Sequence, residues 1–517
     1  MTTNRDHESV APAATQPPRS TDRKGYLWLA AGTVLSLFAV HGRWDVAPAA
    51  WLGGVFLLRY TRTRRPLAGF GGVWVASAIA AVFWLYESEL PVFGPVLVLC
   101  LALSTTLCLP FLVDRLLAPR LAASAVLATL VYPLARVLAE YVNATISPAG
   151  NIFGSLAATQ HANLPLLQVA AITGSYGVSF LVAWLASVIN GGWQDRSVWR
   201  RMVAAFGVTL AVVLAGGGAR LLFFTPDGPT VRIAGVSPSA LVLQQRNAVL
   251  ADFPTLKDLV AADPARLRPA FATVADDLFA ASERETRAGA RIIVWPETGA
   301  GTLAADAPAL TRRAASFARD HGVYLVMGVG VVTRTEPYLR NQSMLVDPDG
   351  NVAWTYDKAH PIPGMEALIP GDGRVPTVDT PYGRLASVIC FDLDFPALAR
   401  QAGHKNVDIM LVPSNDWRGF GRVHTEKATV RAVENGYSVV RPDTNGLSRA
   451  IDYQGRALAS ADFFATDRQV VVADVPISAA RTVYAAVGDL FAWACTVALA
   501  LITAVIVVRH RRPAPKL

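Results

Sequence analysis

The chain divides into two regions by the pattern of its hydrophobic and polar residues. Apolar runs with few or no charges occur at 26–41, 45–60, 67–86, 91–113, 121–140, 171–190, 202–223 and 487–508. A helix of about 20 such residues has the length needed to cross the hydrocarbon core of a bilayer. We therefore predict about eight membrane spans, of which the first two are short.

The pattern changes between 225 and 480 to short apolar strands, turn signals and dispersed charges, which is typical of one large α/β domain. The first 24 residues are rich in Pro, Ala, Thr and charge and lack a secretory cleavage site, so we expect a disordered cytoplasmic tail. The predicted order is this tail at 1–24, a membrane domain with seven spans at 25–224, the α/β domain at 225–480, and a last span with a tail at 481–517.

Composition and charge support a multi-pass membrane protein. The 517 residues are 52% hydrophobic and only 17% charged, which is too apolar for an ordinary soluble chain. Lys and Arg concentrate at 59–65, 115–120 and 196–201 and beside both termini, whereas 87–91 and 141–168 contain neither. Because cytoplasmic loops retain positive charge, we predict cytoplasmic termini and an extracytoplasmic α/β domain. The net charge of +8 largely reflects this bias and does not indicate nucleic-acid binding.

One cysteine lies outside the predicted spans. Cys100, Cys108 and Cys495 fall within spans, which leaves Cys390 in the α/β domain. Cys390 follows the apolar run 385–389 and precedes a stretch with a helical pattern, so it is predicted at a strand-to-helix turn with free backbone amides nearby. This placement suits a nucleophile. The alternative from the residue alone is a buried core thiol.

A thiol with a pKa near 8.5 needs a base or a cation beside it to react as a thiolate. Glu297 ends the apolar strand RIIVWP, and Lys358 ends the β-prone segment WTYDK. Polar residues that follow strands collect along one edge of an α/β sheet, so we predict that Glu297, Lys358 and Cys390 lie together. Taken singly, Glu297 would equally suit a helix cap and Lys358 a solvated surface position.

These segments resemble the motifs of the carbon-nitrogen hydrolase (nitrilase) superfamily. The matching segments are IIVWPE around Glu297, DK at Lys358 with Glu366 eight residues on, and VICFD around Cys390. PSNDW and HTEKATVRAVENG, which follow the nucleophile, are similar as well. The resemblance covers about 231–475 and implies an α-β-β-α sandwich.

The position of this domain between the seventh and eighth spans resembles the layout of the apolipoprotein N-acyltransferase family, as does LPLLQVAAITGSYGVSFLVAWL at 164–185. The resemblance implies that a phospholipid acyl chain passes through a Cys390 thioester to the N-terminal amine of a diacylglyceryl-cysteine lipoprotein. It also implies a bacterial cytoplasmic (inner) membrane. We expect a monomer whose partners are the donor phospholipid, the acceptor lipoprotein and membrane lipid.

The catalytic hypothesis gives each residue a role. Glu297 is the general acid and base, and Lys358 with the backbone amide of Phe391 stabilises the oxyanion. Glu366 orients Lys358 or Glu297, and Asp392 stands in for the acidic residue expected two positions after the nucleophile. Weaker candidates for substrate contact are Asn415, Trp417, Asp416, His360 and His424, and candidates for an acyl-chain groove are Trp354, Phe391, Phe395, Trp417 and Phe420. No metal-ligand spacing or phosphate loop is present, so we predict no metal and no cofactor.

Two other functions remain open from the sequence. A membrane-anchored amidase or nitrilase would use the same three residues with water as the acceptor. A transporter or scaffold with a degenerate domain predicts the loss of at least one of the three, and none is lost. A transporter would also be expected to have ionisable residues within its spans. Most of the predicted spans lack them, and Arg136 and Glu140 near the end of one span are the exception.

Overall fold

The protein is described by a computed structural model that covers residues 23–121, 124–465 and 469–511. The predicted tail at 1–24 lies almost entirely outside these residues. Within them, the membrane domain is helical, with short 3₁₀-helices at Ala118–Leu121 and Ala158–Gln160. Its helices are α1 (Arg23–Leu37), α2 (Ala47–Arg62), α3 (Pro66–Glu87), α4 (Gly94–Leu117), α5 (Ala125–Ile146), α6 (Leu164–Leu167), α7 (Ala170–Thr173), α8 (Ser175–Gln194) and α9 (Arg196–Phe223).

Six of the described helices are long and apolar enough to cross a membrane, namely α3, α4, α5, α8, α9 and the C-terminal helix Leu490–Arg511. The first two predicted runs are helical, but α1 and α2 have only 15 and 16 residues. At 1.5 Å per residue they reach about 23 Å, which is shorter than a bilayer core of about 30 Å. In the part of the chain that the structure describes, six apolar helices therefore meet the length of a full span, and α1 and α2 are too short.

The sixth predicted run, 171–190, is wrong at its start. Its first residues form the separate short helix α7, and α8 begins only at Ser175. Gly174 separates the two helices with a φ of +66°, a conformation that a residue with a side chain rarely adopts. A Cβ at this position would also lie 2.6 Å from the ring of Tyr484. The break therefore depends on glycine inside an otherwise continuous apolar run.

The α/β domain follows α9 and contains two large sheets and one two-stranded sheet. Its strands are β1 (Thr230–Val236), β2 (Ile292–Val294), β3 (Ala300–Leu303), β4 (Tyr324–Val332), β5 (Leu339–Val346), β6 (Val352–Asp357), β7 (Thr377–Thr380), β8 (Gly383–Ser387), β9 (Ile409–Leu411), β10 (Ser414–Asn415), β11 (Ser438–Arg441), β12 (Asp443–Thr444), β13 (Leu447–Ile451), β14 (Ala457–Asp462) and β15 (Val470–Pro476). Its helices are α10 (Ala240–Leu250), α11 (Leu256–Ala261), α12 (Pro264–Arg287), α13 (Ala307–His321), α14 (Pro396–His404) and α15 (Gly421–Asn435); α16 (Val483–Val487) and α17 (Leu490–Arg511) follow it.

The two sheets form the predicted α-β-β-α sandwich. One sheet has the order β15-β1-β2-β4-β5-β6, with β3 beside β4, and the other has the order β14-β13-β11-β9-β8-β7. Apolar side chains from both sheets, such as Ile233, Val326, Leu385 and Ile409, form the central core. Helices α12 and α13 cover the outer face of the first sheet, and α14 and α15 cover that of the second.

The α/β domain rests on three loops of the membrane domain whose only Lys or Arg is Arg43. The loops that follow α1, α3 and α5 each donate or accept a hydrogen bond across the junction: His41 Nε2 to Val423 O at 3.2 Å, Trp417 Nε1 to Ser88 O at 2.6 Å, and Asn151 N to Asp394 O at 3.1 Å. All of α15 except Arg422 is buried. Its Val430 and Val433 pack into the core of the membrane domain, while Ala428 and Ala432 pack against the second sheet.

Candidate active site

The three residues predicted at one sheet edge lie at corresponding strand ends. Glu297 comes three residues after β2, Lys358 directly follows β6, and Cys390 comes three residues after β8. Strands β2 and β4 are parallel, and the two antiparallel steps from β4 to β5 and from β5 to β6 give β6 the same direction again. The predicted convergence along one edge is therefore confirmed for Glu297 and Lys358, whose side chains are in contact.

Glu297 and Lys358 form a buried ion pair. Lys358 Nζ donates to Glu297 Oε1 at 2.8 Å and to both carboxylate oxygens of Glu366 at 2.8 Å. Asn341 Nδ2 donates to the same Glu297 oxygen at 2.6 Å, and the backbone amide of Asn415 donates to the other at 3.1 Å. Both oxygens of Glu297 are thus held, and Lys358 is fixed between two carboxylates.

Cys390 occupies a strained turn between strand and helix. It begins the 3₁₀-helix Cys390–Asp394 with a φ of +44°, which is uncommon for a residue with a side chain. Its amide donates to Pro413 O at 2.9 Å, and the residue is only 3% exposed. The following helix α14 was also predicted. Strain at a buried thiol of this kind is typical of functional positions.

Burial shifts the pKa of each of these groups. Removal from water, reinforced by Asp416 and Glu297, raises the pKa of the Cys390 thiol well above its usual value. Burial also raises the pKa of Glu297, although Lys358 opposes that change. For Lys358, burial lowers the pKa, but the Glu297 carboxylate outweighs it, so the ammonium form is favoured. The resting site thus pairs a protonated thiol with a cation and a carboxylate of raised pKa.

A second charged cluster lies on the other side of Cys390. The thiol sulphur is 3.6 Å from Asp416 Oδ1, 3.7 Å from Arg441 Nη2 and 4.0 Å from His424 Nδ1. Asp416 accepts from Arg441 at 2.7 Å and from His424 at 2.7 Å. We name Asp394, Asp416, His424, Lys427, Arg441 and Asp443 the second cluster.

His424 lies between two carboxylates of the second cluster. Its Nδ1 faces Asp416, and its Nε2 is 3.0 Å from Asp394 Oδ2. Burial lowers the pKa of His424, but Asp416 and Asp394 raise it by more, so the imidazolium is favoured. Lys427 also pairs with Asp394, and Arg441 pairs with Asp443. The charges are therefore neutralised within the cluster.

The supporting residues Glu366, Asp392 and Phe391 differ in their surroundings. Glu366 holds Lys358 and accepts from the Ile362 amide at 2.8 Å. Asp392 is fully buried and accepts from Tyr356 Oη at 2.8 Å and from the His360 amide at 2.8 Å. It thereby joins the end of β6 to the Cys390 turn. Phe391 is buried directly after the nucleophile.

Asn415 and Trp417, predicted to contact substrate, are already partnered by the protein. The Asn415 side chain accepts from Asn445 at 3.1 Å, and its backbone amide holds Glu297. Trp417 donates to Ser88 and stacks on Phe420 with ring centroids 5.0 Å apart. Asn415 therefore supports Glu297, and Trp417 faces the membrane domain.

A small apolar cavity of about 60 Å³ adjoins the site. Of the five aromatic residues predicted for an acyl groove, Phe391, Trp417 and Phe420 line it. Trp354 instead packs in the core between the sheets, and Phe395 stacks on His360. The other side of the cavity is formed by the membrane domain, including Trp84, Val96, Leu99, Cys100 and Leu103.

The fold assembles possible metal ligands that their spacing along the chain does not indicate. Ligand atoms of Cys390, Asp416 and His424 lie within 4.8 Å of one another. Arg441 contacts both the sulphur and Asp416, so its positive charge disfavours a cation at this position. A separate group of possible ligands, His41, Asp45 and His161, lies at the domain junction.

Sequence reasoning missed Arg441 and Asn341. Each is a polar residue within a buried strand, in SVVR and LRNQSMLV respectively, where burial of polar groups requires a partner. That mismatch between a polar residue and an apolar strand was the available signal. The partners themselves come from distant segments, so the pairs are visible only in the fold.

Two family models match the chain. Carbon-nitrogen hydrolase matches residues 210–485, which is more than half of the chain, and Apolipoprotein N-acyltransferase N-terminal domain matches residues 31–188. The chain belongs to the apolipoprotein N-acyltransferase family. Its long apolar helices and this membership identify a bacterial membrane protein with a carbon-nitrogen hydrolase domain.

Members of the apolipoprotein N-acyltransferase family align with most of the chain. A protein named Apolipoprotein N-acyltransferase from Geobacter metallireducens is 28% identical over 93% of this chain and 95% of its own length. The protein of the same name from Bradyrhizobium diazoefficiens is 28% identical over 66% of each chain. Among solved structures, an amidase from Nesterenkonia sp. is 22% identical, covers 49% of this chain and 92% of its own, and has a TM-score of 0.38.

Proposed function

We propose that the protein transfers an acyl chain from a phospholipid through a Cys390 thioester to the N-terminal amine of a diacylglyceryl-cysteine lipoprotein. The apolar cavity carries this proposal, because membrane helices form one side of it while Phe391 and His424, which adjoin Cys390, form the other. An acyl chain can enter such a cavity from a leaflet without crossing water. The names of the relatives agree with this activity.

In the first half-reaction we assign Glu297 as the base that takes the Cys390 proton. The thiolate attacks the ester carbonyl of the donor, and Lys358 with the Phe391 amide stabilises the oxyanion. The carbon–oxygen ester bond breaks, and Glu297 returns the proton to the leaving glycerol oxygen. A lysophospholipid departs and the thioester remains.

In the second half-reaction the amine of the lipoprotein attacks the thioester. Glu297 accepts the amine proton and returns it to the departing sulphur as the carbon–sulphur bond breaks. Glu366 holds Lys358 in place during both steps, because it accepts two hydrogen bonds from the ammonium. Two half-reactions through one covalent intermediate predict ping-pong kinetics.

We further propose a cytoplasmic-membrane location with both termini inside and the domain at 225–480 outside. The Arg-rich loops at 59–65, 115–120 and 196–201 join helix ends opposite to those that contact the α/β domain, which supports this orientation. All assigned groups come from a single chain, so we expect a functional monomer.

Intact mass of the purified protein tests the proposal. After incubation with a defined phospholipid, the wild type should gain one acyl mass and Cys390→Ala should not. Cys495→Ala is the matched control, since it removes a buried thiol from α17, and it should gain the same mass. A diacylglyceryl-cysteine peptide should then remove the adduct and become N-acylated.

Two results would contradict the transfer. The absence of an adduct on the wild type, or an adduct that persists on Cys390→Ala, would exclude the thioester. An adduct that decays equally with and without the peptide would identify water as the acceptor and favour the membrane-anchored amidase or nitrilase.

A further inference from the structure

A cluster of two histidines and an aspartate lies at the domain junction, apart from the active site. His41 and Asp45 belong to the loop between α1 and α2, and His161 follows the 3₁₀-helix Ala158–Gln160. One ligand atom from each of the three residues lies within 4.8 Å of the others, and His41 Nδ1 is 3.3 Å from Asp45 Oδ2. The proposed reaction uses none of these residues.

Backbone hydrogen bonds fix the tautomer of both histidines. His41 Nε2 is 3.2 Å from Val423 O, and His161 Nδ1 is 3.1 Å from Ala158 O. A carbonyl oxygen only accepts, so each of these nitrogens carries the proton. In the neutral form of each imidazole the lone pair is then on His41 Nδ1 and His161 Nε2, the atoms that face the cluster. Histidines that bind metals have this same arrangement, in which the second ring nitrogen donates to a carbonyl or carboxylate.

The aspartate is buried and incompletely partnered. The Asp45 side chain is 6% exposed and that of His41 is 1% exposed. Within the part of the chain that the structure describes, Asp45 Oδ1 has no hydrogen-bond partner. A buried carboxylate oxygen without a donor is unfavourable unless a ligand satisfies it. Asp45 thus points to a ligand that offers positive charge.

The surrounding charges favour a cation. Glu426 Oε1 lies 3.4 Å from His161 Nε2 and is paired with Arg422. Two carboxylates and two imidazoles therefore face one small volume.

We propose that His41, Asp45 and His161 bind one divalent first-row transition metal ion, for which Zn²⁺ is the probe. Imidazole nitrogen and carboxylate oxygen are suitable zinc ligands, and three of them leave a fourth position for water or for Glu426. Metal–ligand bonds near 2.0 Å in a tetrahedron place ligand atoms about 3.3 Å apart. The His41–Asp45 separation already has that value, so a small movement of His161 completes the site.

Such a metal would join the two domains beside the active site. Two membrane-domain loops supply the ligands, while Val423 and Glu426 of α15 contact them. His424, which lies between these two residues in sequence, contacts Cys390. A bound ion would therefore hold the loops against the helix that lines the nucleophile.

Metal binding to the full-length protein in detergent tests the proposal. We expect one equivalent of Zn²⁺ per chain by calorimetry after chelator treatment, and one equivalent of Co²⁺ with visible d–d bands and no thiolate charge-transfer band. Zn²⁺ should also raise the melting temperature, because it binds only the folded state. Asp45→Asn and His161→Gln should each weaken binding by at least about 10-fold.

The controls separate this site from other groups. His404→Gln changes an exposed histidine on α14 and should bind like the wild type. Cys390→Ala removes the sulphur of the other possible ligand group and should also bind normally. Absence of binding to the wild type would overturn the proposal whatever the variants do. Equal binding by wild type, Asp45→Asn and His161→Gln would overturn it too, as would binding that disappears in Cys390→Ala.

Discussion

Two charged clusters flank Cys390, and they differ in how their carboxylates are paired with cations. In the first, Glu297 and Glu366 share the single cation Lys358, so the cluster carries more carboxylates than cations. In the second, Asp416, Asp394 and Asp443 each face at least one of Arg441, His424 and Lys427. Burial raises the pKa of Glu297 in the first cluster. In the second, Arg441 and His424 keep Asp416 ionised, whereas burial beside Asp416 raises the pKa of Asp443 well above its usual value.

The difference indicates a division between chemistry and structure. Glu297 has a raised pKa and therefore suits proton transfer. Asp416 has a pKa well below its usual range, because Arg441 and His424 outweigh the effect of its burial, and it stays ionised. Changes in the first cluster should lower the rate, and changes in the second should lower stability.

The largest expected effect comes from Glu297→Gln. The amide keeps the size of the side chain but cannot accept the thiol proton, so thioester formation should slow by about 10²- to 10⁴-fold. The measurement is the time course of acyl mass on the protein. Glu283→Gln, which changes an exposed carboxylate on α12, is the matched control. A near-normal rate for Glu297→Gln would remove Glu297 from the mechanism.

Asp416→Asn should have the next largest effect, on stability. It leaves His424 and Arg441 with one charged partner fewer in a buried site, which costs about 3–5 kcal/mol in the free energy of unfolding. Denaturant unfolding in detergent measures it. Asp306→Asn breaks the exposed pair with Arg268 and should cost less than about 1 kcal/mol. Equal losses of unfolding free energy in the two variants would show that the second cluster contributes no more to stability than an exposed ion pair.

The pH dependence of acylation should follow Glu297. Glu297 must be ionised to accept the proton, so the rate should fall about tenfold per pH unit as pH drops below its pKa. Burial and Glu366 place that pKa above the ordinary glutamate value. Glu366→Gln removes one neighbouring negative charge and should move the acid limb to lower pH. An unchanged limb would assign it to another group.

The smallest expected effect concerns the acyl cavity. Cys100→Phe places a larger side chain in the cavity wall and should slow transfer of a long acyl chain about tenfold relative to a short one. Leu109→Phe is on the same helix α4 but is 44% exposed and outside the cavity, so it should not change chain-length preference. Identical chain-length preferences in the two variants would place the acyl chain outside this cavity.

The sequence predicted the sandwich, the apolar helices and the position of the first cluster. Long apolar runs must be helical in a bilayer because no water is present to satisfy the backbone, which makes them easy to recognise. Glu297, Lys358 and Cys390 were recognisable because each follows an apolar strand. Their catalytic roles are still predictions.

The second cluster and the domain junction were not predictable in the same way. The segment TEKATVRAVEN has polar residues on all sides and is typical of a solvated helix, yet α15 is buried between two domains. Lys427 pairs with Asp394, and Glu426 and Glu434 contact His161 and the Ser175 amide of the membrane domain, all of which lie far away in the chain. The start of the helix in the sixth apolar run likewise depends on Gly174, whose positive φ cannot be predicted from hydropathy.

The burial of α15 on both sides limits how this protein can be recombined. Val430 and Val433 pack into the membrane domain of this chain, while Ala428 and Ala432 pack against its second sheet. A chimera that takes its membrane half from one bacterium and its hydrolase half from another would therefore place α15 against a membrane domain with which it did not evolve. Functional exchange between species therefore requires that the residues of α7 and of the preceding loop that contact α15 are transplanted together with α15.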